Sequence, residues 1–263
     1  MFVVEKLHMI SCILLFLLFP CNIKQFAKAA DFIYAGCSPA KYDPITPFQT
    51  NLDSLLTSIV TGAALSSYNN YSAGDTALLP PGLAVYGLFQ CRPDLSIPDC
   101  AACVKAAVSQ LDQVCPQSFA ASLQLGGCFV RYSNEDFVGR PDTATVYQKC
   151  SDSTSDDGRF VQQREDVLAG LQSAACYRVS VSGTVQGDVQ CLGDLSVADC
   201  AACLSQAVAQ LRGACGSAIS ADVYLAQCYA RYWAPDHYFR AAVEEGDLCF
   251  NCRAGLHVFA VNR

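Results

Sequence analysis

Cysteine is the residue type in this sequence with the most chemistry to offer. The 263 residues include 17 cysteines. Five of them follow the spacing C-x8-C-x2-C-x11-C-x12-C: Cys91, Cys100, Cys103, Cys115 and Cys128. The same spacing returns at Cys191, Cys200, Cys203, Cys215 and Cys228, each displaced by 100 residues. Thiols in such numbers can cross-link the chain, hold zinc or exchange disulfides. A closed zinc site needs two converging half-sites. This spacing is not that pattern, and the histidines are only His8, His237 and His257. A redox thiol must be exposed and of low pKa, whereas Cys100 and Cys103 fall on an apolar helical stripe. A third C-x2-C, Cys249 to Cys252, fits burial less well and is the better redox candidate. Structural disulfides suit the others. A module of about 100 residues has a modest core, and each bridge adds about 2–4 kcal/mol by restricting the unfolded chain. Six cysteines allow 15 pairings, so spacing alone leaves the connectivity open.

The elements that position these cysteines repeat with them. Between Cys91–Tyr132 and Cys191–Tyr232 there are 19 identities in 42 positions without a gap. A sixth cysteine precedes each set, Cys37 in the first and Cys150 in the second. Each module reads as helix, strand, helix, strand. Phe48, Leu52, Leu55, Leu56 and Ile59 have helical spacing, and Gly82–Cys91 reads as a strand. Ser96-x-x-Asp99 is a capping box for a helix whose stripe runs through Cys100, Cys103, Val104, Ala107, Val108, Leu111 and Cys115. Ser196 to Cys215 repeats it. A closing strand is expected over Leu123–Tyr132 and again over Val223–Tyr232. Leu125 and Cys128 have opposite parity there, so either both faces are partly covered or Gly126-Gly127 forms a bulge.

Cysteine usage and the N-terminus both point to an oxidising compartment. Met1–Ile10 carries Lys6 and His8, Ile10–Phe19 is apolar, and Ala27-Lys28-Ala29 has the small-residue pattern of a cleavage site. Together they predict a signal peptide over 1–29; the apolar run is shorter than the ~20 residues of a membrane span. Cleavage removes Lys6, Lys24, Lys28 and Glu5, which takes the net charge from −7 to −9. With no Lys/Arg cluster, nucleic acid is excluded as a partner. The expected layout is a first module at 31–140, a second at 141–243 and a tail at 244–263 without a transmembrane helix. The sequon Asn70-Tyr71-Ser72 is expected in a loop rich in Ser, Asn and Gly and is a candidate glycan site.

These repeats resemble the ginkgobilobin-like cysteine-rich repeat family of plants. The resemblance implies an α+β fold: two tandem disulfide-stapled modules, each an antiparallel sheet of about five strands with two helices packed on one face. It implies the pairs Cys37–Cys115, Cys91–Cys100 and Cys103–Cys128, and likewise Cys150–Cys215, Cys191–Cys200 and Cys203–Cys228. Gly187–Cys191, Gly193–Ser196 and Tyr229–Trp233 are similar to segments of plasmodesmata-located proteins, which carry two repeats, a membrane helix and a short tail. The expected membrane helix is absent after about Val243, so the resemblance implies either a secreted paralogue of the cysteine-rich repeat secretory type or a truncated or alternatively spliced form of a membrane-anchored protein. It also implies a mannose site from an Asn after the first cysteine, an Arg six before the last and a Glu five after it. Ser38, Ser122 and Ser133 stand at those places in the first module; Ser151, Asp222 and Trp233 stand there in the second. None matches, which disfavours mannose there.

Cys176, Cys249 and Cys252 remain as unpaired or extra cysteines. Arg131-Tyr132 and Arg231-Tyr232 recur at one repeat position and read as framework. Trp233, His237, Tyr238 and Phe239 form an aromatic cluster that could be an interface or a flap over the core. No Ser/His/Asp, Cys/His or paired-carboxylate constellation emerges, so neither catalysis nor a cofactor is expected. The expected role is extracellular binding of proteins or cell-wall components, alone or as an oligomer with related repeat proteins, in cell-to-cell traffic control, signalling or defence. The alternatives are a carbohydrate-binding antifungal protein and a thiol oxidoreductase.

Overall fold

A computed structural model describes residues 29–74, 83–234 and 246–248. The leader before Ala29, Cys249, Cys252, and His237, Tyr238 and Phe239 lie outside the described residues. Ala29, where the leader is expected to end, is buried against Gly127, whose amide donates to the Ala29 carbonyl at 2.9 Å.

The first sheet contains β1 (Phe32–Cys37), β2 (Tyr68–Ala73), β3 (Val85–Cys91), β4 (Ala120–Leu125) and β5 (Cys128–Ser133), in the order β1-β4-β5-β3-β2. All neighbours are antiparallel. Helices α1 (Pro47–Gly62) and α2 (Ile97–Val114) cover one face. The second module repeats this with β6 (Thr145–Cys150), β7 (Tyr177–Ser182), β8 (Val185–Cys191), β9 (Ser220–Leu225) and β10 (Cys228–Trp233), and with α3 (Gly158–Gln172) and α4 (Val197–Ala214). A short sixth strand, β11 (Gly246–Leu248), pairs with β7. The expected architecture of two antiparallel sheets with helices on one face is therefore present in both modules.

Local chemistry explains the elements. Ser96 caps α2: its hydroxyl accepts from the Asp99 amide at 3.3 Å and donates to the Asp99 carboxylate at 2.6 Å. Ser196 and Asp199 do the same for α4 at 3.2 and 2.6 Å, satisfying a first-turn N–H that would otherwise be orphaned. The predicted stripe is the buried one, with Cys100, Cys103, Val104, Ala107 and Leu111 all facing the sheet. Helix α1 rests on the sheet at Gly87, where a Cβ would lie 2.8 Å from Leu55 Cδ2; Gly187 meets Val167 and Leu171 in the same way. Only glycine lets backbone and helix approach so closely.

The strand expected over Leu123–Tyr132 is a hairpin instead. β4 ends at Leu125, Gly126 and Gly127 make the turn, and β5 starts at Cys128. The conflicting parity of Leu125 and Cys128 arises because the chain reverses between them; both point at the helices from adjacent strands. Val223–Tyr232 turns at Ala226-Gln227 in the same way. Asn70 is not in a loop either: it lies exposed in the edge strand β2.

In each module three disulfides tie the second helix to the sheet. Cys37–Cys115 joins the end of β1 to the C-terminus of α2, Cys91–Cys100 joins β3 to its first turn, and Cys103–Cys128 joins it to β5. Cys150–Cys215, Cys191–Cys200 and Cys203–Cys228 occupy the same places in the second module. Cys100 and Cys103 thus belong to different bridges, and so do Cys200 and Cys203. Cys176 is disulfide-bonded as well.

Candidate functional site: the seam between the modules

Strand residues alternate between faces. A subset of those that do not meet the helices meets the other module. Tyr34, Leu88, Phe129, Phe137, Tyr224 and Tyr229 form a third buried cluster that contains residues of both sheets. Tyr34 stacks on Tyr147 with ring centroids 5.7 Å apart and meets Tyr224 edge-on at 5.5 Å. Burial pushes the phenols of Tyr34, Tyr224 and Tyr229 well above their ordinary range.

Polar contacts fix the register of this seam. Gln190 Nε2 donates to the Cys91 carbonyl at 3.1 Å, while the Gly193 amide donates to Gln90 Oε1 at 2.7 Å. Gln90 and Gln190 are repeat-equivalent, so each module reaches across with the same residue. The linker is held as well: the Gly139 amide donates to Asp194 Oδ2 at 2.9 Å and the Asp142 amide to Gln227 Oε1 at 2.7 Å. These residues carried no motif and were missed in the sequence. The available signal was aromatic and polar side chains at the strand positions that the helices leave uncovered.

The recurring Arg-Tyr pairs separate into two behaviours. Tyr132 donates to the Ser118 carbonyl at 3.0 Å and Tyr232 to the Ala218 carbonyl at 2.8 Å. Both tyrosines are framework. The arginines differ. Arg231 sits in the register between Asp188 on β8 and Asp222 on β9. Its Nε lies 3.0 Å from Asp222 Oδ1 and 3.8 Å from Asp188 Oδ1. Burial opposes its charge, but Tyr224, Asp222 and Asp188 outweigh that and raise its pKa. Burial pushes the Asp222 carboxyl up, against the pull of Arg231. Trp233 is 5% exposed, with the Arg231 guanidinium 5.5 Å over its ring.

Beside the seam lies a cleft of about 260 Å³, lined mostly by the first module and bordered by Asp142, Val146 and Ala226 of the second. Ser38, Ser122, Arg131 and Asp142 supply its polar lining, and Tyr34 and Phe129 supply rings. Ser38 and Ser122 are two of the three positions that would have formed the mannose set; Ser133 is buried at the end of β5. Asp222 is occupied by Arg231, and Ser151 accepts from the Ser153 amide at 3.0 Å. All twelve cysteines of the two sets are bridged, which leaves no thiolate among them for zinc or exchange.

The profile of a family described as salt stress response/antifungal matches residues 36–135 and 148–234, one copy on each module. The chain belongs to this family. Among its relatives, plasmodesmata-located protein 8 of Arabidopsis thaliana is 50% identical over 220 residues, covering 82% of this chain and 79% of that protein. Cysteine-rich repeat secretory protein 55 of the same plant is 29% identical over 235 residues, covering 81% and 85%. The crystal structure of the tandem DUF26 ectodomain of PDLP8, a cysteine-rich receptor-like protein, matches with a TM-score of 0.74 at 50% identity. That match covers 78% of this chain and 98% of the ectodomain. The chain is thus a tandem family member with the ectodomain fold of plasmodesmata-located proteins. Among the described residues, no helix is long and apolar enough to cross a membrane.

Proposed function

We propose that this chain is a non-catalytic extracellular recognition protein of the plasmodesmata-located type. It enters the secretory route by the leader over 1–29 and carries a glycan on Asn70. It acts at the plant cell surface by binding proteins or cell-wall components, alone or with related repeat proteins, in cell-to-cell traffic control, signalling or defence. The observation that carries this reading is the 50% identity to plasmodesmata-located protein 8 across both modules. The seam supports it: two modules locked through buried rings present a fixed composite surface, which limits the entropy lost when a partner docks.

A fluorescent fusion expressed in leaf epidermis tests the reading. Punctate signal across the wall, coincident with callose staining, is expected. Diffuse wall signal would contradict plasmodesmal siting, and cytosolic signal would contradict the extracellular role.

A further inference from the structure

The two modules differ at one rung of their sheets. In the second module, adjacent strands carry Lys149, Asp222, Arg231 and Asp188 in register, an alternation of charges across the sheet. The same rung in the first module reads Gly36, Ser122, Arg131 and Leu88. Both carboxylates that neutralise Arg231 have been replaced, and the arginine remains. Among the described residues, none of the ion pairs or hydrogen bonds is made by the Arg131 guanidinium. It lies 4.1 Å over the Phe137 ring, and burial lowers its pKa. The carboxylates of Asp142 and Asp194 act on it only from beyond ion-pair distance and do not offset burial, so this half-buried cation holds unspent hydrogen-bonding capacity. This one faces the 260 Å³ cleft.

We propose that the cleft at Arg131 binds a carboxylate-bearing sugar, a uronate, through the guanidinium that its own module leaves unpaired. The flat fork of arginine fits a carboxylate in two parallel bonds. Asp142 in the same cleft is a poor neighbour for a simple anion but a good acceptor for sugar hydroxyls. Ser38 and Ser122 add hydroxyls, and Tyr34 and Phe129 offer ring faces to the C–H side of a pyranose. The volume is near the lower end of small-ligand sites, roughly 300 Å³, so one sugar unit is read rather than a chain. The net charge of −7 gives no general attraction for a polyanion, so selectivity rests on the local fork. Ser38 and Ser122 stand at two of the three mannose-set places, but Arg131, which would hold the carboxylate, is not one of them.

This inference deepens the binding role proposed above, and its failure would leave the localisation result intact. The test is calorimetric titration of the native, oxidised protein with galacturonic acid, its methyl ester, galactose and acetate. Galacturonic acid is expected to bind at least tenfold more tightly than the other three. Ser122→Asp copies the Asp222 solution of the second module, so it retains the fold and is expected to weaken galacturonate at least tenfold without lowering Tm. Arg131→Met, which keeps the apolar stem, is expected to do the same. Equal binding of the ester or galactose, equal binding of acetate, no measurable galacturonate binding, or a folded Ser122→Asp protein that binds like the parent would each overturn the proposal.

Discussion

Removing the Cys37–Cys115 bridge by paired alanine substitution is expected to destabilise the first module by about 4–5 kcal/mol. The two residues are 78 apart in sequence, and the chain-entropy cost of closing a loop grows with its length. Cys37 is exposed and Cys115 is buried, so one small core side chain is trimmed, and most of the effect comes from the freed unfolded chain. The Cys91–Cys100 bridge closes only 9 residues, for which the same relation gives about 2.5 kcal/mol. Denaturant melts of the two double variants against the parent measure both values. A larger loss for the short loop would mean that packing of the buried Cys91 and Cys100, not chain restriction, dominates the contribution of the staples. A domain is stable by only about 5–15 kcal/mol, so the loss of Cys37–Cys115 is expected to bring the module close to unfolding at growth temperature.

Arg231→Ala is expected to cost about 3–5 kcal/mol, because it strands two buried carboxylates in place of a compensated rung. The side chains of Asp188 and Asp222 are 3% and 14% exposed, too little for water to replace the guanidinium. With Arg231 gone, the Asp222 carboxyl, which burial pushes up and Arg231 pulls down, binds its proton more tightly in the folded than in the unfolded chain. Stability then falls as pH rises from the ordinary carboxylate range through its raised folded-state value, so the variant is expected to lose less at pH 3 than at pH 7. Converting the rung together, as Asp188→Leu, Arg231→Met and Asp222→Ala, is expected to recover most of the loss, since the fully apolar replacement leaves no charge uncompensated. Chemical denaturation at the two pH values separates these outcomes. An Arg231→Ala protein as stable as the parent would show that the rung is solvated and not buried.

The contrast between Arg131 and Arg231 also shows where the sequence was legible. Displacement by 100 residues exposed the helices, caps and cysteine sets, because identical residues at one period require identical local structure. The two arginines looked equivalent for the same reason. What distinguishes them lies on other strands, at Leu88 and Asp188 and at Ser122 and Asp222. Those pairs also sit 100 apart, so reading the repeat for its differences would have found them. The strand β2 was invisible because Tyr68–Ala73 is a polar edge strand with no buried residue, and period-2 hydrophobicity is the signal by which strands are read. The hairpin at Gly126-Gly127 announced itself only as a parity conflict. The pairing of cysteines came through family resemblance, since 15 connectivities satisfy the spacing equally. The seam of Tyr34, Tyr147 and Tyr224 joins residues more than a hundred positions apart, and no local pattern predicts such a contact.

Two look-alike units, each nailed to its second helix by three sulfur bridges, are the frame on which every other inference rests. Alkylation of the native secreted protein without reduction, followed by proteolysis and mass spectrometry, tests that frame directly. The expected result includes six linked peptide pairs from the two cysteine sets, with Cys100 joined to Cys91, Cys103 joined to Cys128, and the matching links in the second module, beside a further link from Cys176. Alkylated Cys100 or Cys103, or a peptide in which those two are joined to each other, would contradict it and return the C-x2-C pairs to thiol chemistry.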